Sequence, residues 1–157
     1  MLVDEAGFAA LRTGGDPALA VVDAPLVTVT LRVTGPEVSL EHRGWIDRER
    51  ATLLVGVKPE LFQVISVPPA FLTAALVRLT RIRPRRPDDH GPHFEWELHA
   101  AWPGGARTLV AQDGPGGLRL ADPLDGSLRP VSNTVAYRIL STLLPTDAEL
   151  SGGELSG

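Results

Sequence analysis

A pattern of strands followed by a helix occurs twice in this sequence, and it restricts the fold more than any other feature. The first copy has strand-like runs at residues 51–57 and 61–67 and a helical run at 70–82. The strand-like runs and the helical run of the second copy are 107–112, 118–121, 128–131 and 132–144. The repetition predicts an α+β fold, a mainly antiparallel sheet with helices packed on it, built from two similar β-β-β-α units related by a pseudo-twofold repeat.

The two helical runs carry apolar residues at matching positions, with the spacing of one helix face. In chain order, these residues are Phe71, Leu72, Ala75, Leu76 and Leu79, and then Val135, Ala136, Ile139, Leu140 and Leu143. We expect each helix to bury this stripe against the sheet.

Further runs with the period-two alternation of strands are 26–33, 37–45 and 93–102. The turn at Pro103–Gly105 predicts that the strands 93–102 and 107–112 form a hairpin. The sequence also predicts a short helix at Asp4–Arg12 and a short edge strand at Ala18–Asp23.

The chain is long enough for one sizeable core, so residues 1–145 predict a single α+β domain. Unit one spans about residues 26–83, and unit two spans about residues 93–145. Residues 146–157 are small and acidic, with few large apolar side chains, and they predict a disordered tail.

The composition excludes several classes of protein. The 157 residues contain no cysteine, which rules out disulfides, a thiol nucleophile and a cysteine metal site. The formal net charge of −4 argues against nucleic acid as a partner. The start of the chain does not resemble a signal peptide, and the apolar runs are too short for a bilayer. We therefore expect a cytoplasmic protein that binds neither nucleic acid nor membrane.

One strand carries the side chains that come nearest to a catalytic or metal site. His93, Glu95, Glu97 and His99 alternate, so they share one face and are weak candidates for a transition-metal site. The same alternation is also expected if these residues form the solvent-exposed face of a half-buried strand. The glycine-rich turn 113–117 lacks the lysine of a P-loop, and the serines lie outside nucleophile-elbow motifs. We expect no enzymatic activity, no metal and no cofactor.

An arginine cluster follows the first helical run, and it consists of Arg78, Arg81, Arg83, Arg85 and Arg86. Cations at the end of a helix suit its dipole, so the cluster has a structural explanation. Because prolines stiffen the loop 81–92, this loop is also a candidate contact for a protein partner. The second candidate surface is the hairpin, whose polar face is expected to present His93, Glu95, Glu97, His99 and Arg107. The partner-binding candidates are Arg81, Arg83, Arg85, Arg86, Trp102 and Arg107.

Two stretches have a combination of motifs that occurs in a known family. The first reads Ala-Thr-Leu-Leu-Val from Ala51, then Phe-Gln-Val-Ile-Ser-Val-Pro-Pro-Ala-Phe-Leu-Thr-Ala-Ala-Leu-Val-Arg-Leu from Phe62. The second reads Leu-Arg-Pro-Val from Leu128, then Tyr-Arg-Ile-Leu-Ser-Thr-Leu-Leu-Pro from Tyr137. Both stretches resemble the EspG family of actinobacterial type VII secretion chaperones. The resemblance covers about residues 26–145, although the chain is shorter than the usual family member.

The resemblance implies a cytoplasmic chaperone, without catalysis or cofactor, that binds the helical tip of a secreted protein and keeps it soluble. Two alternatives stand beside it. One is a small-ligand-binding or enzymatic α/β domain. The other is a regulatory module that forms a homodimer through an exposed strand edge.

Overall fold

The computed structural model describes residues 2–36, 39–80, 94–114, 117–122, 124–142, 144–145 and 149–150. Within these residues the helices are α1 Glu5–Thr13, α2 Ala20–Asp23, α3 Leu72–Thr80 and α4 Asn133–Ser141. The strands are β1 Leu2–Val3, β2 Val27–Thr34, β3 Ser39–Ile46, β4 Ala51–Lys58, β5 Leu61–Val67, β6 Phe94–Trp102, β7 Gly105–Gly114, β8 Gly117–Ala121 and β9 Leu128–Val131.

All nine of these strands belong to one antiparallel sheet with the order β1-β5-β4-β3-β2-β6-β7-β8-β9. The α+β class and the mainly antiparallel sheet are therefore confirmed. Strands β2 to β5 follow one another as neighbours and lead into α3, and β6 to β9 do the same before α4. Four strands precede each helix, where the sequence pattern predicted three. The predicted hairpin of β6 and β7 is also confirmed, with Trp102 opposite Gly105.

The edge strand predicted at Ala18–Asp23 is wrong, because this segment is helical. Pro17–Leu19 forms a 3₁₀ turn, and the Asp16 carboxylate caps it by accepting from the Ala18 amide at 3.0 Å. An aspartate followed by proline is a helix-start signal, and here it overrides the β-branched pair Val21 and Val22. Both valines are buried, which the alternation of an edge strand would not allow.

Helices α3 and α4 pack on one face of the sheet, which we call the helix face. The core beneath them includes Leu31 and Leu98 from the central strands, together with Leu72, Leu76 and Leu140 from the helices. Side chains that alternate along a strand point to one face, so the period-two pattern builds this core directly.

Two of the stripe residues that the structure describes do not lie in the core, and Leu143 lies outside the described residues. Phe71 is 62% exposed and Val135 is 38% exposed. Phe71 belongs to the 3₁₀ turn Pro69–Phe71 that precedes α3, so it does not share the angular phase of the helix. Val135 lies in the first turn of α4, where Ser132 caps the helix by accepting from the Val135 amide at 3.2 Å.

Within the described residues, the opposite face of the sheet is covered at one end. There Phe8 of α1 stacks on Trp45 with ring centroids 5.5 Å apart, above a second core that includes Leu54 and Phe62. At β2, β6 and β7 this face carries exposed polar side chains, and we call it the open face. None of the helices described here is long and apolar enough to cross a membrane.

The structure describes two residues of the predicted disordered tail, Glu149 and Leu150. Leu150 is partly buried and packs against the core of the helix face. Glu149 forms an ion pair with Arg107 of β7. The other residues of the segment 146–157, like the predicted loop 81–92 and residue His93, lie outside the described residues.

The packing of α3 and α4 predicts where alanine substitutions are costly. Leu76→Ala and Leu140→Ala should each lower the free energy of unfolding by about 2–5 kcal/mol, because each leaves a cavity in the core. Phe71→Ala, in the turn before α3, and Val135→Ala, in α4, are the exposed controls, and each should change it by less than about 0.5 kcal/mol. Urea denaturation measures all four values. Wild-type midpoints for Leu76→Ala and Leu140→Ala would contradict the packing.

Candidate functional site

A cleft of about 940 Å³ opens on the helix face between the end of α4 and the outer strands β7, β8 and β9. Its apolar lining consists mainly of Leu109, Leu120, Val131, Ile139 and Leu144. Charged side chains at its border are Arg107, Asp122, Arg129 and Glu149. An apolar concavity with a few charged groups is the usual form of a binding site.

The register of the outer strands explains the apolar lining. Leu109 lies opposite Leu98 of the core, and Val131 lies opposite the buried Leu118, so both side chains point to the helix face. Helix α4 buries Ala136 and Leu140 fully in the core. The partly buried Ile139 lines the cleft one residue before Leu140.

Arg107 binds the end of α4 and fixes one wall of the cleft. Its Nη1 donates to the carbonyl of Thr142 at 2.7 Å and to that of Leu144 at 3.2 Å. Its Nη2 donates to the Glu149 carboxylate, and its guanidinium lies 5.3 Å from the centre of the Trp102 ring. The last carbonyls of a helix accept no hydrogen bond from within the helix. Arg107 donates hydrogen bonds to carbonyls at this end, and its positive charge complements the helix dipole.

A tight turn between β8 and β9 forms the border opposite Arg107. The Asp122 amide donates to the Ser127 carbonyl at 2.8 Å, and Arg129 Nη2 lies 3.5 Å from Asp122 Oδ2. The hydroxyl of Ser127 donates to Asp125, and this bond, with backbone donors, holds the pKa of that carboxyl below its usual value. The turn presents Leu124 to solvent with 96% of its surface exposed.

The structure separates the residues that the sequence placed on one polar hairpin face. Glu95, Glu97 and His99 do share the open face, as predicted. Arg107 does not, because it lies opposite the buried Ala100 and so points to the helix face. The prediction of Arg107 on the polar face is therefore wrong. The hairpin register pairs residues whose numbers add to 207, so an odd-numbered residue of β7 lies opposite an even-numbered residue of β6.

The open face is held together by pairs across its strands. His99 Nδ1 lies 2.7 Å from Thr108 Oγ1, and Gln112 Nε2 donates to Glu95 Oε1 at 2.6 Å. Arg32 of β2 forms an exposed ion pair of 3.2 Å with Glu41, beside a shallow depression of about 250 Å³. In the part of the chain that the structure describes, histidine and carboxylate side chains do not group in threes as a metal site requires.

Two of the remaining candidates lie in the β6–β7 hairpin. Arg107 lines the cleft, and its guanidinium lies over the ring of Trp102. Arg81, Arg83, Arg85, Arg86 and His93 lie outside the described residues, so their roles stay predictions. Sequence reasoning missed the cleft, because its apolar residues have the pattern of ordinary core residues.

Comparison of the chain with protein-family models, with curated proteins and with solved structures gives no match.

The contacts of Arg107 predict a stability effect. Arg107→Gln should lower the free energy of unfolding by about 1–2 kcal/mol, because carbonyls at the end of α4 lose a charged donor that is partly screened by solvent. Arg119→Gln is the matched control, since Arg119 is an exposed arginine of the neighbouring strand β8, and it should change stability by less than about 0.5 kcal/mol. Equal melting temperatures for the two variants would show that Arg107 does not hold the helix end.

Proposed function

We propose that this chain is a non-catalytic protein-binding module, a chaperone or adaptor, that receives an apolar segment of a partner protein in the cleft beside α4. The observation that carries the proposal is the combination of the apolar lining and the charged border in a cleft of about 940 Å³. Protein interfaces have this arrangement, with an apolar centre and a polar rim. A helix that lays one apolar face into a groove is a common form of such recognition.

Part of the cleft wall favours a polypeptide as the occupant. Glu149 lines the cleft and pairs with Arg107, while Leu150 packs against the same core. A segment of chain therefore already lies at this site through one charged and one apolar side chain. The exposed Leu124, on the turn that borders the cleft, adds apolar surface that a larger partner can cover.

The resemblance to the EspG family gives the proposal its biological form. On that basis the partner is a helical secreted protein with exposed apolar residues at its tip, and the encounter takes place in the cytoplasm. Arg81, Arg83, Arg85 and Arg86 are proposed as a second contact for this partner. Such a chaperone covers apolar surface, so it needs neither a catalytic site nor a cofactor.

The pseudo-twofold repeat is part of the same proposal. Its support is that β2 to β5 with α3 and β6 to β9 with α4 have the same element order, and that β2 and β6 are neighbours. The aligned residues Leu76 and Leu140 are both buried, at 2% and 1% exposure. If the repeat is real, Leu76→Ala and Leu140→Ala should lower the free energy of unfolding by similar amounts. A large cost at only one of these positions would contradict it.

The volume of the cleft also supports the small-ligand alternative, because pockets for small molecules span about 300–1,000 Å³. Edge-to-edge homodimerisation has weaker support. The two outer strands of the described sheet are β1, with two residues, and β9, with four residues that include Pro130. Short strands and proline at an edge leave few free groups for pairing with a second chain.

Binding in the cleft can be tested with two substitutions on one helix. Ser141 is exposed and lines the cleft, whereas Thr134 is exposed two turns earlier on α4 and does not line it. Partners captured by the wild-type chain from its native host are identified by mass spectrometry and purified. Ser141→Tyr should weaken the affinity of a helical partner by at least about tenfold, because the ring fills the cleft mouth, and Thr134→Tyr should not.

Isothermal titration calorimetry measures these affinities, and circular dichroism establishes that both variants keep the wild-type fold. A partner that binds both variants as tightly as the wild type would place the interface elsewhere. A cleft that takes only small molecules would contradict the proposal and support the alternative.

A further inference from the structure

We propose that Arg107 at the border of the cleft and the apolar surface beside it recognise a specific dipeptide, glutamate followed by leucine, and that the chain's own Glu149–Leu150 holds this border site until a partner bearing the same dipeptide displaces it. The inference rests on the proposed function, since it names the chemistry of the partner segment that the cleft takes. It also assigns a regulatory role to the segment after α4.

The receptor for the glutamate is the guanidinium of Arg107. Its Nη1 is committed to the carbonyls of Thr142 and Leu144, and its plane lies against Trp102, so its orientation is set before any carboxylate arrives. Its Nη2 donates to the Glu149 carboxylate. A guanidinium held in this way is a preorganised receptor for a carboxylate, and it prefers a carboxylate to an uncharged amide.

The receptor for the leucine is the apolar surface of the same region. Leu150 is partly buried against the core of the helix face, to which Leu109, Val131 and Ile139 also contribute. A glutamate alone would find hydrogen-bond donors at any exposed arginine. The adjacent apolar contact therefore supplies the selectivity for leucine in the second position.

The occupant is held weakly enough to exchange. The side chains of Arg107 and Glu149 are 36% and 35% exposed, so solvent screens their attraction. Because the segment belongs to the same chain as α4, its effective concentration at Arg107 is in the millimolar range. A partner that brings the dipeptide together with further contacts, for example on Leu124, can displace it.

The sequence itself repeats the motif. Residues 149–152 read Glu-Leu-Ser-Gly, and residues 154–157 read Glu-Leu-Ser-Gly again. The second copy carries the same glutamate-leucine dipeptide. The test therefore removes both glutamates, so that a single dipeptide of the chain cannot mask the effect.

The test uses the full chain and a fluorescently labelled peptide with the sequence of residues 145–153. The double variant Glu149→Gln/Glu154→Gln should bind this peptide at least about tenfold more tightly than the wild type, because the tethered competitors have lost their charge. A second peptide with glutamine in place of its glutamate should bind the double variant at least about tenfold more weakly than the first. Fluorescence anisotropy gives both affinities.

A control variant separates this effect from a change in net charge. Glu49→Gln/Glu97→Gln removes two exposed carboxylates far along the chain from the segment, and it should bind the peptide as the wild type does. The inference is overturned if the double variant and the wild type have equal affinities, or if the glutamine peptide binds as tightly as the glutamate peptide.

The outcome is distinguishable from a failure of the proposed function. If Ser141→Tyr weakens the helical partner while the peptide shows no preference for glutamate, the cleft binds proteins and only the dipeptide inference fails. If the peptide binds as expected but Ser141→Tyr does not change the affinity for the helical partner, the dipeptide inference is supported and the proposed function fails.

Discussion

The antiparallel pairing of β2 with β6 is the interaction on which the rest of the structure depends. The other neighbours from β2 to β5 and from β6 to β9 are consecutive in the chain, so each set can form from local contacts. The pairing of β2 with β6 joins the two sets through seven residue pairs, among them Leu31 and Leu98, which are both fully buried. It makes one continuous sheet and one continuous core beneath α3 and α4.

The width of that sheet explains why a cleft exists. Nine strands about 4.8 Å apart span roughly 38 Å, whereas two helices packed side by side cover about 20 Å. The two helices on this face of the described structure therefore cannot cover it, and the outer strands β7, β8 and β9 keep apolar side chains beyond the end of α4. Arg107 fixes the helix end at this border. The proposed binding site thus follows from the mismatch in width, because it leaves apolar surface beside α4 that a partner can cover.

Local patterns predicted the strands and helices well, because alternation and helical spacing are properties of neighbouring residues. The strands 61–67 and 128–131 have the predicted bounds, and the stripe residues Leu76 and Leu140 are buried. The errors come from tertiary context. Arg107 is a charged residue, but the strand register places it on the helix face. The contacts of Glu149 with Arg107 and of Leu150 with the core also could not be predicted from local composition. A cleft lined by Leu109, Leu120 and Val131 has no signature of its own in the sequence, since whether a helix covers these residues depends on where α4 ends.

The most direct measurement of the central claim uses two neighbouring residues of β7. Leu109 lines the cleft, and Val110 lies opposite Glu97 on the open face. In a methyl nuclear magnetic resonance spectrum of the full chain, titration with the bound partner should shift the methyl signals of Leu109, with those of Val131 and Ile139, and leave Val110 unchanged. If the signals of Val110 shift while those of Leu109 stay constant, the partner binds the open face, and the account is contradicted.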